Sequence, residues 1–152
     1  MLSKNSAKAQ NGVNGDMMKE LVIDAEVNKL DELLEFVDGF LEEVSCSAKA
    51  KIQLDVAIEE IFVNIASYAY GEGKGKAWFR ISHSDSPSAV TLVFEDEGTP
   101  FDPLAKEDPD TTLSAEERKI GGLGIYMVKK SMDDVRYEYR DNRNILTIYK
   151  QI

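Results

Sequence analysis

The sequence of 152 residues is poor in cysteine and histidine, with one of each, and it holds only four prolines and one tryptophan. Because Cys46 has no second cysteine to pair with, a disulfide within the chain is excluded. The fold must therefore be stabilised by its core. A chain of this length is expected to bury about 68–70% of the surface that it exposes when unfolded, which is enough for one domain without covalent links.

Long apolar runs and an excess of basic residues are also missing. No apolar stretch approaches the roughly 20 residues that a membrane-spanning helix needs, and the start has no signal-peptide pattern. Lys and Arg total 18 against 28 Asp and Glu, for a net charge of −10. Such a chain is poorly suited to neutralising nucleic-acid phosphates. We therefore expect a cytoplasmic protein that binds neither nucleic acid nor membranes.

The acidic residues are concentrated near the start of the chain. Residues 1–17 are rich in Asn, Ser, Gly, Lys and Ala, which predicts a flexible tail, followed by one domain over residues 18–152. Positions 16 to 43 contain ten acidic residues and only two basic ones, Lys19 and Lys29. This charge fits either a solvated helix face or a surface that docks a partner.

Hydrophobic periodicity predicts a strand at 18–23 and amphipathic helices at 25–44 and 48–70. Two segments with strand character, 77–83 and 89–95, are separated by turn residues and predict an antiparallel hairpin. A third helix is expected to end near position 132, before a second hairpin of 135–139 and 145–150 that turns at 140–144. This order predicts an α/β (α+β) two-layer sandwich, with helices on one face of a mixed, mostly antiparallel sheet.

The second predicted helix carries Glu60 and Asn64 one turn apart, at the border of its apolar stripe. A carboxylate in such a place can act as a general base, and an amide oxygen is a suitable ligand for Mg²⁺. Glu and Asn at this spacing are common on helices, so the pair alone is equally typical of an ordinary helix surface.

Two further motifs lie at the ends of predicted elements. Asp96, Gly98 and Phe101 lie in a segment directly after a strand, where a carboxylate could accept a hydrogen bond from an amine such as that of adenine, or where a plain turn could form. The glycine-rich run 121–124 opens the third helix. Free backbone N–H groups at a helix start bind anions, although glycines also serve a tight loop-to-helix entry.

Together, these three motifs resemble the N, G1 and G2 boxes of the GHKL ATPase superfamily, whose members share the Bergerat ATP-binding fold. The run GGLGIYMVKKSMDDV is similar to the anti-sigma factor serine/threonine kinases of bacterial partner switching. The resemblance implies ATP and Mg²⁺ as cofactors and an ATP lid at about 103–120. It implies that Glu60 is the general base, that Asn64 holds Mg²⁺, and that the nucleotide contacts Asn64, Asp96, Gly98, Phe101, Lys119, Gly121, Gly122, Leu123 and Gly124.

The function implied is transfer of a phosphate to a serine or threonine of an anti-sigma factor antagonist. A sigma factor as a second partner and a homodimer are further implications. Two alternatives remain: a binding module that ATP gates without phosphoryl transfer, and a stand-alone catalytic domain like those of histidine kinases. The single histidine, His83, lies on a predicted strand, so a phospho-accepting histidine would be on another chain. Tyr68 stands where many of the family's kinases carry histidine.

Overall fold

A computed structural model of the chain describes residues 8–11, 17–105 and 122–152. The strands in these ranges form one six-stranded sheet in the order β1-β2-β3-β4-β6-β5, and every pairing between them is antiparallel. The strand bounds are β1 (Lys8–Asn11), β2 (Met17–Asp24), β3 (Lys76–Asp85), β4 (Ser88–Asp96), β5 (Asp134–Arg140) and β6 (Arg143–Gln151).

The helices are α1 (Leu30–Glu43), α2 (Ala48–Asn64) and α3 (Gly122–Ser131), with 3₁₀ turns at Val27–Lys29 and Pro103–Ala105. Strand residues alternate between buried and partly exposed, as expected of a sheet with one covered face. Phe79 of β3 meets Phe36 of α1 edge-to-face at 6.0 Å and Phe94 of β4 at 5.0 Å between ring centroids. The predicted α+β architecture, with a mostly antiparallel sheet, is confirmed.

The second helix is not one regular helix as predicted for 48–70. It begins at the Ser47 cap, whose Oγ accepts from the Ala50 N–H at 3.2 Å, and α2 ends at Asn64. A π-helical segment, Ile65–Ala69, continues it. The carbonyl of Ala69 accepts a hydrogen bond from the Thr99 N–H at 3.0 Å, so the last turn bonds to a loop outside the helix. Such segments are frequent at functional sites.

The turn between β5 and β6 is shorter than the predicted 140–144. Asp141 and Asn142 have φ of 55° and 63°, which is the conformation of a two-residue type I′ turn. Asp and Asn tolerate this left-handed conformation better than most residues. Arg143 and Asn144 therefore belong to β6, and Asn144 pairs with Asp96 in the sheet.

The flexible tail predicted for residues 1–17 contains strand β1 and the first residue of β2. Strand β1 pairs with β2, with Lys8 opposite Glu20, and β2 begins at Met17. Adding an edge strand requires backbone hydrogen bonds but no apolar side chains, so composition gave no sign of it. Residues 1–7 and 12–16 lie outside the described residues. None of the helices in the described ranges is long and apolar enough to cross a membrane.

The exposed Gly39 lies inside α1, and no atom comes within 4 Å of the position that a Cβ would take there. Alanine favours a helix interior over glycine by about 0.8–1.0 kcal/mol. We therefore expect Gly39→Ala to raise the free energy of unfolding by up to about 1 kcal/mol, measured by urea denaturation. Gly98→Ala is the contrasting variant and should lower the free energy of unfolding, because a Cβ there would lie 2.1 Å from the Ala69 carbonyl oxygen. Destabilisation by Gly39→Ala would contradict this account of α1.

Candidate functional site

A cavity of about 600 Å³ lies between α2 with its π-helical end, the start of α3 and the strands β4, β5 and β6. This volume is in the range of sites for small molecules and cofactors. Its walls are mainly apolar, with a few polar side chains among them. The lining residues on which the site depends are Ile61, Asn64, Tyr68, Phe94, Asp96, Phe101, Ile125, Tyr137, Asn144 and Leu146.

Asp96, at the end of β4, is a carboxylate buried in this cavity wall, with 5% of its surface exposed. Its Oδ1 accepts hydrogen bonds from the Gly98 N–H and from Asn144 Nδ2, each at 2.9 Å. Burial raises the pKa of Asp96, and these two bonds offset only part of that effect. Within the described residues both bonds go to Oδ1, so Oδ2 remains available to accept from a ligand amine.

Asn144 connects three parts of the site. Its Nδ2 donates to Asp96 Oδ1 and to the Thr99 carbonyl, at 2.9 and 3.0 Å. Its Oδ1 accepts from the Phe101 N–H at 3.1 Å and from the Tyr137 hydroxyl. The sequence predictions missed Asn144 because they placed it in a turn. Only its register opposite Asp96 could have identified it, and that register depends on the turn length.

The loop after Asp96 is also held from the helix side. Gly98 lies so close to the π-helical segment that only glycine fits without displacement. Tyr70, just beyond that segment, donates its hydroxyl hydrogen to the Lys76 carbonyl and accepts from the Glu97 N–H at 2.8 Å. Neither role was predicted from the sequence. The segment 97–101 is therefore fixed between the end of the second helix and β6.

Glu60, Asn64 and Gly124, one residue of the third motif and two of the first, lie together in the structure. Asn64 Nδ2 donates to Glu60 Oε1 at 3.4 Å. Gly124, in the first turn of α3, packs directly on this carboxylate, because a Cβ at position 124 would lie 1.8 Å from Oε1. The Glu60 carboxylate is therefore next to the helix end whose N–H groups and dipole favour phosphate oxygens.

These residues fit ATP with Mg²⁺. The apolar walls suit a base, Asp96 offers an acceptor for its amine, and the start of α3 suits phosphates. Asn64 lines the cavity, and because its Nδ2 is turned to Glu60, its Oδ1 can bind a cation. Within the described ranges, no cluster of three or more His, Cys, Asp or Glu could hold a metal. Mg²⁺ would then depend on Asn64, phosphate oxygens and water, which is its usual environment at nucleotide sites.

The remaining predicted residues divide into two groups. Phe101 lines the cavity, and Gly122 and Leu123 form the start of α3. Lys119, Gly121 and most of the lid predicted at 103–120 lie outside the described residues. Tyr68 is also on the cavity wall and is 69% exposed. His83 lies on β3, as predicted, with its Nε2 3.0 Å from Ser88 Oγ.

The fold and its cavity define an ATPase domain of the GHKL type. The family model for the histidine kinase-like ATPase domain matches residues 23–150, and the chain belongs to this family.

Similar proteins include two named kinases. The chain is 28% identical over 102 residues to the serine/threonine-protein kinase BtrW of Bordetella bronchiseptica, covering 67% of this chain and 71% of that protein. It is 25% identical over 115 residues to the serine-protein kinase RsbW of Listeria monocytogenes, covering 72% of each. It is 24% identical over 115 residues to the serine-protein kinase RsbW of Listeria innocua, again covering 72% of each.

Replacing Asn144 tests its connecting role. Asn144→Ala removes the side chain that bonds to the Phe101 N–H, the Thr99 carbonyl and Asp96, and a buried group that is left unsatisfied costs about 1–3 kcal/mol. We expect a loss of stability in this range by urea denaturation. Tyr137→Phe, which removes one of these bonds, is the graded control and should cost about 1 kcal/mol. An Asn144→Ala variant as stable as wild type would refute the role.

The raised pKa of Asp96 predicts a pH-dependent difference from Asp96→Asn. As the pH rises from the usual carboxyl pKa of 3.8 through the raised pKa, the wild type loses the stability that a protonated Asp96 provides. Asparagine does not titrate, and its Oδ1 can still accept from Gly98 and Asn144. The stability of the variant relative to wild type should therefore increase over this window and level off above it. A difference that stays constant across the window, measured by denaturation at several pH values, would be contrary evidence.

Proposed function

We propose that this protein binds ATP with Mg²⁺ and transfers the γ-phosphoryl group to a serine or threonine of an anti-sigma factor antagonist in a bacterial partner-switching pathway. The named kinases to which the chain is similar support the reaction class. A sigma factor as a further partner, a homodimer and a cytoplasmic location belong to the same proposal.

The observation that carries this proposal is the contact of the Glu60 carboxylate with Gly124 at the start of α3. With phosphates bound at that helix end, Glu60 is beside the group that would be transferred. It would accept the proton of the attacking hydroxyl while the new O–P bond forms and the bond to the β,γ-bridging oxygen breaks, releasing ADP. Such transfers depend mostly on positioning and charge neutralisation.

Asn64 has two tasks in this scheme. Its Nδ2 hydrogen bond fixes the orientation of the Glu60 carboxylate, and its Oδ1 would bind Mg²⁺. Asp96 is the residue that would select adenine, because its free carboxylate oxygen accepts from the exocyclic amine. The network around Asn144 sets the direction of that oxygen.

The decisive experiment incubates the protein with Mg²⁺, γ-labelled ATP and an anti-sigma factor antagonist from the same organism. We expect a labelled serine or threonine on that protein. Glu60→Gln should lower the transfer rate by about 10²–10⁴-fold, the usual contribution of a general base, with ATP affinity within twofold of wild type. Glu59→Gln, an exposed neighbour, is the matched control and should transfer at the wild-type rate with saturating acceptor.

The other outcomes identify the alternatives. Undiminished transfer by Glu60→Gln would refute its role as base. ATP binding without any labelled partner would make the protein an ATP-gated binding module. A label on a histidine of another chain would indicate a catalytic domain of the histidine-kinase kind.

Adenine recognition has a separate test by calorimetry. Asp96→Asn directs an amide N–H₂ group at the ligand amine, and a lost hydrogen bond to a charged group is worth about 1.5–3 kcal/mol. We expect ATP affinity to fall by about 10–100-fold. Affinity that is unchanged in Asp96→Asn would remove Asp96 from the nucleotide site.

A further inference from the structure

Helix α2 exposes two large apolar side chains on its outer surface. Ile52 and Val56 are 63% and 56% exposed and lie one turn apart, on the side of the helix away from the buried Leu54 and Ile58. Lone exposed apolar residues are ordinary, but two stacked along one helix face make a continuous apolar strip. We call the pair Ile52 and Val56 the apolar strip.

An acidic face of α1 lies along one side of this strip. Glu35, Asp38 and Glu42 share one side of α1 by their helical spacing. Lys51 of α2 contacts Asp38 at 3.4 Å and Asp55 at 3.0 Å, so an ion-pair network joins the acidic face of α1 to α2 one residue before Ile52. We call Glu35, Asp38 and Glu42 the acidic face.

The charge of this region is only partly compensated. Asp38 and Asp55 share the single ammonium group of Lys51. Among the described residues, Glu35 and Glu42 are in no ion pair, and α1 itself carries six acidic residues and no basic one. By their helical spacing, the exposed Lys49 and Glu59 lie on the same side of α2 as the strip and add one charge of each sign, so the surface keeps a net negative charge beside the apolar strip.

The charge determines which kind of partner fits. A second copy of this chain that docked here through the same acidic face would be repelled, so the proposed homodimer would use another surface. Nucleic acid and anionic membranes would be repelled for the same reason. The complementary surface is a protein that presents an apolar ridge bordered by lysine or arginine side chains.

The apolar strip also lies near the chemistry. Glu60 follows Val56 by one turn, about 6 Å along the axis and roughly 40° around it. Across the surface, the acidic face comes first, followed by Asp55 and then by the apolar strip. Glu60, which packs against α3, lies beyond the strip. A protein that covers Val56 would thus have its own surface within reach of the Glu60 carboxylate.

We propose that the apolar strip and the acidic face together dock the protein substrate, which carries the complementary apolar ridge with basic borders. This inference rests on the proposed function for the identity of the partner. The contact holds the acceptor hydroxyl at Glu60, so the surface acts on the affinity for the acceptor and not on the nucleotide or on the chemical step.

The test measures binding and transfer separately, with an anti-sigma factor antagonist from the same organism as the probe. Val56→Asp and the double variant Glu35→Lys, Glu42→Lys should each weaken binding of that protein at least tenfold by calorimetry, and should raise its KM with kcat and ATP affinity unchanged. Salt should weaken wild-type binding, and the double variant should lose most of this dependence. Val27→Asp and Glu138→Lys change an exposed apolar and an exposed acidic residue elsewhere and should have no effect.

Unchanged ATP affinity shows that each variant is folded, so the result is decided by partner binding. Wild-type affinity in Val56→Asp and in the double variant would overturn the docking surface while leaving the proposed transfer intact. Variant-sensitive binding without any phosphoryl transfer would support the surface and reject the kinase proposal. The inference would be overturned if the wild type failed to bind the probe. It would also be overturned if a second copy of this chain occupied the apolar strip and the acidic face.

Discussion

The hydrogen-bond network of Asp96 and Asn144 is the constraint on which the site depends. Leaving a carboxylate buried without partners is costly, so Asp96 at the end of β4 requires donors in fixed positions. One donor comes from its own loop and the other from the neighbouring strand. Asn144 then uses its remaining capacity to bind the backbone at Thr99 and Phe101. One hydrogen-bond network thus holds the cavity wall, orients the carboxylate oxygen of Asp96 and links β4 to β6.

A second constraint is steric and lies where α2 meets α3. Gly124 brings the backbone of α3 against the Glu60 carboxylate, at a separation that no side chain at position 124 would permit. On the other side of the cavity, Gly98 brings the loop after β4 equally close to the π-helical segment. Both glycines serve close approach of backbone to a neighbouring element. The two ends of the site therefore depend on the same helix, which carries Glu60 and Asn64 near its end and the π-helical segment beyond it.

Much of this arrangement follows from local sequence, and the exceptions have physical causes. Helical spacing alone placed Glu60 beside Asn64, and alternation of apolar residues placed the strands of both hairpins. Asn144 was assigned to a turn, because the two left-handed residues that shorten this turn are decided by the pairing of whole strands. The π-helical end of the second helix depends on a bond from Thr99, which is distant in sequence. Strand β1 is held by backbone pairing and leaves no hydrophobic pattern.

The distribution of charge reconciles an acidic protein with an anionic ligand. Helix α1 carries six acidic residues, whereas residues 118–152 hold eight basic residues against four acidic ones. The start of α3, where phosphates would bind, therefore lies in a basic part of the chain, and its N–H groups add positive field, to which a bound Mg²⁺ would contribute. Because exposed charges more than about 8–10 Å apart are largely screened at physiological salt, an acidic α1 and a phosphate-binding helix start can coexist in one domain.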